Sequence, residues 1–261
     1  MTPATPEEAL RREIAEACAV LGARGWVANH DGNLSARLPD GGFLATPTAV
    51  AKADVRADML LRLSPEGAAP AGGRALFSEW ALHAAAHEAR PEIGVVLHAH
   101  PPHATAFACA GQPLPHPFLA EAVASLGAEL PLVAFAAPGA PELGASVAAA
   151  LQRGDVLLLA QHGVLVVGAS VEQALLRMEL VEHLARIALA AVPLGGVRPL
   201  ERGVVERIAA RGRPSSARPG ASVAAAGERG ASPVAAAPGP APGADRAEVA
   251  RLVADALRRL G

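Results

Sequence analysis

The stretch Gly94-Val-Val-Leu-His98-Ala-His100 restricts this chain more than any other: an apolar run that ends in two histidines one residue apart. In an extended strand the side chains alternate, so Val96, His98 and His100 share one face while Val95, Leu97 and Ala99 share the other. Two imidazoles aimed the same way from a rigid backbone begin a metal site, because a strand holds ligands more firmly than a loop does. The plainer reading is a strand end with two partly solvated histidines. The pair alone does not choose between them.

The surrounding chain supplies a framework. Thr5-Pro6-Glu7-Glu8 combines a hydroxyl cap, proline at the first helical position and a carboxylate three residues after the cap, which predicts a helix from Pro6 to Leu21 that stops at Gly22 or Gly25. A polar turn, Asn29 to Arg37, leads into a strand. Pro39-Asp40-Gly41-Gly42 turns it back through Phe43 to Thr46 as a hairpin. Met59 to Leu63 reads as a strand. Ser78 reads as the cap of a helix from Glu79 to Arg90, ending before Pro91, with Glu79 in a first turn whose dipole favours a carboxylate. After the histidine strand come a short helix (Pro101 to Gly111), a strand (Leu130 to Ala136) and a helix (Glu142 to Arg153). Val156 to Ala160 and Val164 to Val167 form a strand pair broken at Gln161-His162-Gly163. Ser170 and Gln173 open a long helix to Ala191. Hairpins interrupt the alternation, so the expected class is α/β with an α+β tendency: a mixed, mostly antiparallel sheet covered by helices.

The ends and the charge narrow the function classes. From 212 to 244, 27 of 33 residues are Ala, Gly, Pro or Ser. Such a stretch has too little large apolar surface to offset its ordering entropy, and it reads as a flexible linker reaching on the order of 30 Å. Beyond it, Val249, Leu252, Val253, Ala256, Leu257 and Leu260 form one apolar stripe on a short helix spanning 245–261, which is marginal alone and wants a partner. The expected layout is therefore a catalytic domain (1–211), the linker and this helix. A net charge of −2 gives no basic field for nucleic acid or anionic lipid. No signal-like segment opens the chain, no run of eighteen apolar residues interrupts it, and Cys18 and Cys109 have neither metal-like nor disulfide spacing, so a soluble cytoplasmic protein is expected.

Three features stand together: the His98/His100 strand, a lone His162 between strands, and Glu79 at a helix start. Three neutral imidazoles with an open fourth position make a catalytic zinc site, and a nearby carboxylate serves as general base or as a displaceable ligand. These residues resemble the class II aldolase/adducin head-domain family, and within it the fuculose-1-phosphate aldolase type, from about Glu8 to Ala191. Gly32-Asn33-Leu34-Ser35-Ala36-Arg37 matches Gly-Asn-x-Ser-x-Arg, and Thr46-Pro47-Thr48 matches Thr-Pro-Ser/Thr-Gly. Ser78-Glu79 with Leu82-His83 matches Ser-Ser-Glu-x-x-x-His, while Arg90-Pro91, His98-Ala99-His100 and Gln161-His162-Gly163 complete the set.

The resemblance implies a fold and a chemistry. His98, His100 and His162 would bind a divalent metal, zinc by family habit, although three imidazoles suit manganese and cobalt too. Glu79 would move a proton beside a metal-stabilised enediolate, and Asn33, Thr46, Thr48 and Ser78 would hold a sugar phosphate such as fuculose-1-phosphate or rhamnulose-1-phosphate during retro-aldol cleavage. Homotetramers are the family's usual assembly. Three positions depart from the pattern: Ala49 replaces a glycine, Phe77 replaces the first serine of a phosphate-binding pair, and tyrosine, the usual proton donor, is absent from the chain. Either water or His116 takes that donor's part, or the reaction is another one that uses an enediolate: decarboxylation, 4-epimerisation or dehydration.

Plainer roles suit the other candidates. His83 and His87, one helical turn apart, form a rival metal pair or, better, a helix face packed beside the site. His103 orients a ligand or caps a helix. His30, His116 and His183 read as structural or solvent-facing, Glu179 and Glu182 as a solvated face or subunit contact, and Trp80 as core or interface. A non-catalytic adducin-like module is disfavoured because all three histidines and the glutamate are present. The tail resembles the encapsulation peptides that carry enzymes to bacterial microcompartment shells, which makes a shell protein an expected partner of 245–261.

Overall fold

The computed structural model describes residues 5–137 and 140–211, so the expected linker at 212–244 and helix at 245–261 lie outside the described residues. Among the described residues one mixed sheet is built from β1 (Asn33–Arg37), β2 (Phe43–Ala45), β3 (Leu61–Leu63), β4 (Val95–Ala99), β5 (Leu132–Val133), β6 (Val156–Leu159) and β7 (Gly163–Gly168). The order is β3-β2-β1-β4-β7-β6-β5, and every pairing is antiparallel except β5 with β6. The mixed, mostly antiparallel sheet matches the expectation.

The helices are α1 (Pro6–Ala23), α2 (Trp80–Ala89), α3 (Pro102–Cys109), α4 (Ala120–Leu126), α5 (Pro141–Leu151), α6 (Val171–Ala191) and α7 (Arg202–Arg211). They cover the sheet on both faces. On one face Leu34, Val95, Leu97, Val164 and Val166 pack with Ile14 and Leu21 of α1 and Met178 and Leu184 of α6. On the other, Val96, Leu157, Leu165 and Val167 pack with Leu82 of α2 and Leu143, Val147 and Leu151 of α5. The strand period sorts these residues, and each side chain so buried contributes about 1.5–3 kcal/mol. β4 is buried on both faces, which explains its unbroken apolar run.

Helix starts follow local chemistry. Thr5 and Glu8 form the expected reciprocal capping box, and the helix runs past Gly22 to end before Gly25. Ser170 accepts from the Gln173 N–H, while the Gln173 side chain accepts from the N–H of Ala169. Three local expectations are corrected. Ser78 is not the cap of α2: Glu79 holds that position, without a side-chain capping bond, because its carboxylate reaches elsewhere. Met59 lies in a 3-10 turn, Ala57–Met59, before β3 begins at Leu61. The strand expected over Leu130 to Ala136 is reduced to two residues.

Several buried polar groups pair across elements. Asp155 accepts from Arg90 at 3.1 Å and from Arg177 at 2.6 Å, tying the end of α2 to β6 and α6. Glu182 is buried, not on a solvated face. Its carboxylate accepts from the backbone N–H groups of His103 and Ala104 and from the His103 ring at 2.6 Å, fastening the start of α3 to α6. Thr46 is also fully buried, and its hydroxyl accepts from the Leu34 N–H at 3.1 Å.

Candidate active site

β4 presents His98 near its C-terminal end, and His100 follows one residue past it on the same face. His162 comes from the break between β6 and β7, where Gln161 adopts φ +56° and turns the chain abruptly. Pairing of β4 with β7 sets Ala99 against Val164 and so brings the break beside the two histidines. Nε2 of His98 lies 3.0 Å from Nε2 of His100. The His162 ring centre lies 4.6 Å from that of His98 and 5.3 Å from that of His100. One ring nitrogen from each of the three falls within 4.8 Å of the others.

Hydrogen bonds set the tautomers. Nδ1–H of His98 donates to the Val164 carbonyl at 2.9 Å, which leaves Nε2 with a lone pair. Nδ1 of His100 lies 3.4 Å from the Asp31 carboxylate, which favours a proton there and again a bare Nε2. Two lone pairs thus face each other at 3.0 Å, an arrangement that repels unless a cation sits against both. The spacing is near the edge of about 3.3 Å expected for a tetrahedron with zinc–nitrogen bonds of 2.0–2.1 Å. The donor set fits a divalent metal. Burial pushes the His98 imidazole down to about 3, so it stays neutral and able to ligate.

Glu79 completes the group. Oε1 lies 2.8 Å from Nε2 of His162, and Oε2 lies 3.6 Å from Nε2 of His98 and accepts from the Asn33 amide at 2.6 Å. Burial raises this carboxyl's pKa, but the bond to His162 and the Asn33 amide outweigh it and hold the group well below the usual carboxylate range. Antiparallel pairing of Asn33 with His98 places the amide here.

A cavity of about 290 Å³ opens beside this cluster; Ser78, Glu79 and His162 line it together with the apolar Leu82, Phe135 and Leu143. Of the four residues expected at the substrate, Ser78 lines this cavity. Thr48 is exposed in the loop after β2, Asn33 is buried against Glu79, and the Thr46 hydroxyl is taken up by Leu34. Asp31 and Phe135 had not been singled out. Asp31 carried a signal, a carboxylate beside the Gly32-Asn33 turn, whereas Phe135 carried none.

The sequence profile described as "Class II Aldolase and Adducin N-terminal domain" matches residues 12–189. A 5-methylthioribulose-1-phosphate/5-deoxyribulose-1-phosphate aldolase of Rhodospirillum rubrum is 34% identical over 177 residues, covering 68% of this chain and 79% of its own. An L-fuculose phosphate aldolase of Escherichia coli O6:H1 is 32% identical over 187 residues, covering 71% and 85%. The crystal structure of YgbL from Klebsiella pneumoniae, described as an aldolase, epimerase or decarboxylase, superposes with a TM-score of 0.72 at 30% identity, over 78% of this chain and 100% of that one.

Proposed function

The chain belongs to the class II aldolase and adducin N-terminal domain family, and from that premise we propose that it is a zinc-dependent lyase that cleaves a short ketose phosphate by retro-aldol chemistry. The observation that carries this reading is the approach of three imidazoles and Glu79 beside one largely apolar cavity. When bound by His98, His100 and His162, zinc (or manganese or cobalt) supplies Lewis-acid polarisation of a substrate carbonyl. Glu79, kept ionised by the Asn33 amide, accepts the proton of the substrate hydroxyl as the carbon–carbon bond breaks and returns it to the carbon that the departing aldehyde leaves. Ser78 offers its hydroxyl to the substrate's polar end. Leu82, Phe135 and Leu143 limit water around the reacting carbon and suit an aldehyde fragment with an apolar end, as a deoxy-sugar phosphate releases.

A second reading, decarboxylation of a 3-oxo acid phosphate, is favoured by the absence of tyrosine. Loss of carbon dioxide needs no proton donor on the leaving fragment, whereas release of an aldehyde requires proton traffic at a hydroxyl. Residues 245–261 belong to the same proposal as a targeting helix for a microcompartment shell protein, their apolar stripe being its support; a reporter fused to 212–261 that stays diffuse beside co-expressed shell proteins would count against it. Assembly as a homotetramer is likewise proposed.

The decisive screen offers fuculose-1-phosphate, rhamnulose-1-phosphate and a 3-oxo acid phosphate to zinc-loaded protein, with Glu79→Gln as control. Dihydroxyacetone phosphate released from a ketose phosphate, and a fall of about 10²-fold or more in Glu79→Gln, supports the lyase. Carbon dioxide release alone supports the second reading, and no turnover of any of the three overturns both.

A further inference from the structure

Both ends of the Asn33 amide are engaged, and the second engagement opens a buried chain of side chains. Nδ2 donates to Glu79, while Oδ1 lies 2.6 Å from Nε2 of His83. Nδ1 of His83 lies 2.8 Å from Oγ of Ser35, which lies 3.0 Å from Nε2 of His87. Asn33 and Ser35 share one face of β1, and His83 and His87 lie one turn apart on α2, so the strand and helix periods bring the four together. All four are at most 4% exposed.

Elementary valence places every proton. An ionised carboxylate only accepts, so Asn33 turns its NH2 toward Glu79. Its carbonyl oxygen, also only an acceptor, then faces His83, which must carry its proton on Nε2. The bare Nδ1 of His83 accepts the Ser35 hydroxyl proton, and the serine oxygen accepts from Nε2–H of His87. Nδ1 of His87 is left with a lone pair, and it is among the few buried side-chain atoms with no partner among the described residues. The pattern is self-consistent in this direction only.

We propose that His83, backed by Ser35 and His87, is a positioning residue: its Nε2–H locks the Asn33 amide in the orientation that presents N–H to Glu79. The proposal rests on the reading of Glu79 as the acid/base. The chain holds and does not conduct, because an amide would have to pass through an imidic acid to relay a proton. Its surroundings suit neutral rings. Phe77 lies 4.8 Å from the His83 ring and Phe43 4.8 Å from that of His87, and burial pushes His87 down to about 3. Phe77, the departure from the phosphate-binding serine, is one wall of this cage.

Two variants and one spectrum test it on the zinc-loaded full chain, with fuculose-1-phosphate as the probe. His83→Leu should lower kcat by about ten- to a hundredfold with KM changed less than about threefold, since it misplaces a proton-transfer group and not a binding one. His83→Gln, which retains an N–H donor toward Asn33, should recover most of that loss. Equal loss in both variants, or none in His83→Leu, overturns the proposal. Independently of turnover, 15N NMR of the wild-type histidines at neutral pH should show His83 and His87 as Nε2–H tautomers, and an Nδ1–H tautomer at His83 overturns the positioning role. A wild type that leaves every ketose phosphate intact while showing the Nε2–H tautomers instead places the failure in the lyase reading.

Discussion

A Cβ added at Gly163 would stand 2.4 Å from Cδ2 of the His100 ring and 2.8 Å from the carbonyl oxygen of Ala99. The glycine after His162 is therefore the space into which a second imidazole fits, so the Gln-His-Gly sequence shapes the cluster twice. Gly163→Ala must push the His100 ring aside or open the β4–β7 pairing. Zinc affinity should fall at least about tenfold and stability by about 1–3 kcal/mol. Competition with a chromophoric chelator and a thermal melt check the two effects; unchanged affinity would mean that His100 need not sit where it does.

Ala49 holds φ +57° in the loop after β2, the left-handed region that a side chain enters at a cost. The same position departs from the glycine of the resembling family. Ala49→Gly should stabilise the fold by about 0.5–1 kcal/mol and raise Tm by roughly 1–4 °C. A lower Tm in differential scanning calorimetry would show that the alanine methyl packs usefully and that the strain is offset.

His83 and His87 couple stability to pH. Burial pushes both down, His87 to about 3 from an ordinary value of 6.5, so the unfolded chain takes up protons first as pH falls. The stability of the two neutral rings is fully present above about pH 6.5 and is lost as pH falls from there toward 3. Each contributes up to about 1.4 kcal/mol per pH unit in that window, so the two together lose roughly 3 kcal/mol per unit. Urea unfolding at pH 8, 7 and 5 should show little change over the first interval beside a steep fall over the second. A flat profile would mean that the rings are solvated or charged in the fold.

The buried Glu182 carboxylate satisfies the first N–H groups of α3. Glu182→Ala leaves those donors and the His103 ring without a partner and should cost about 2–3 kcal/mol. A loss below about 0.5 kcal/mol in denaturant titration would assign the cap to water.

How far the sequence carried the architecture follows from which interactions are local. His98 and His100 were legible as a pair because strand period is a local property, and the Thr5–Glu8 box because its partners are three residues apart. The placement of His162 beside them came from motif order, since only the β4–β7 register brings it there. Asn33 was singled out for substrate, yet its amide spans Glu79 and His83, a link that depends on β1 pairing with β4 and on the setting of α2. Ser78 looked like a cap because a serine precedes a helix; the structure shifts the boundary by one residue and sends the Glu79 carboxylate to His162. Helices α4 and α7 were not anticipated, since Ala120–Leu126 is short and small-residued and Arg202–Arg211 buries little beyond Val205.

The central claim is that His98, His100 and His162 share one cation. Equilibrium dialysis against zinc, followed by elemental analysis of wild type and of His98→Ala and His162→Ala, tests it most directly. The account predicts one zinc per wild-type chain and loss of that zinc in both variants while circular dichroism stays unchanged. Wild-type protein that emerges without stoichiometric zinc, or well-folded variants that keep it, would contradict the claim.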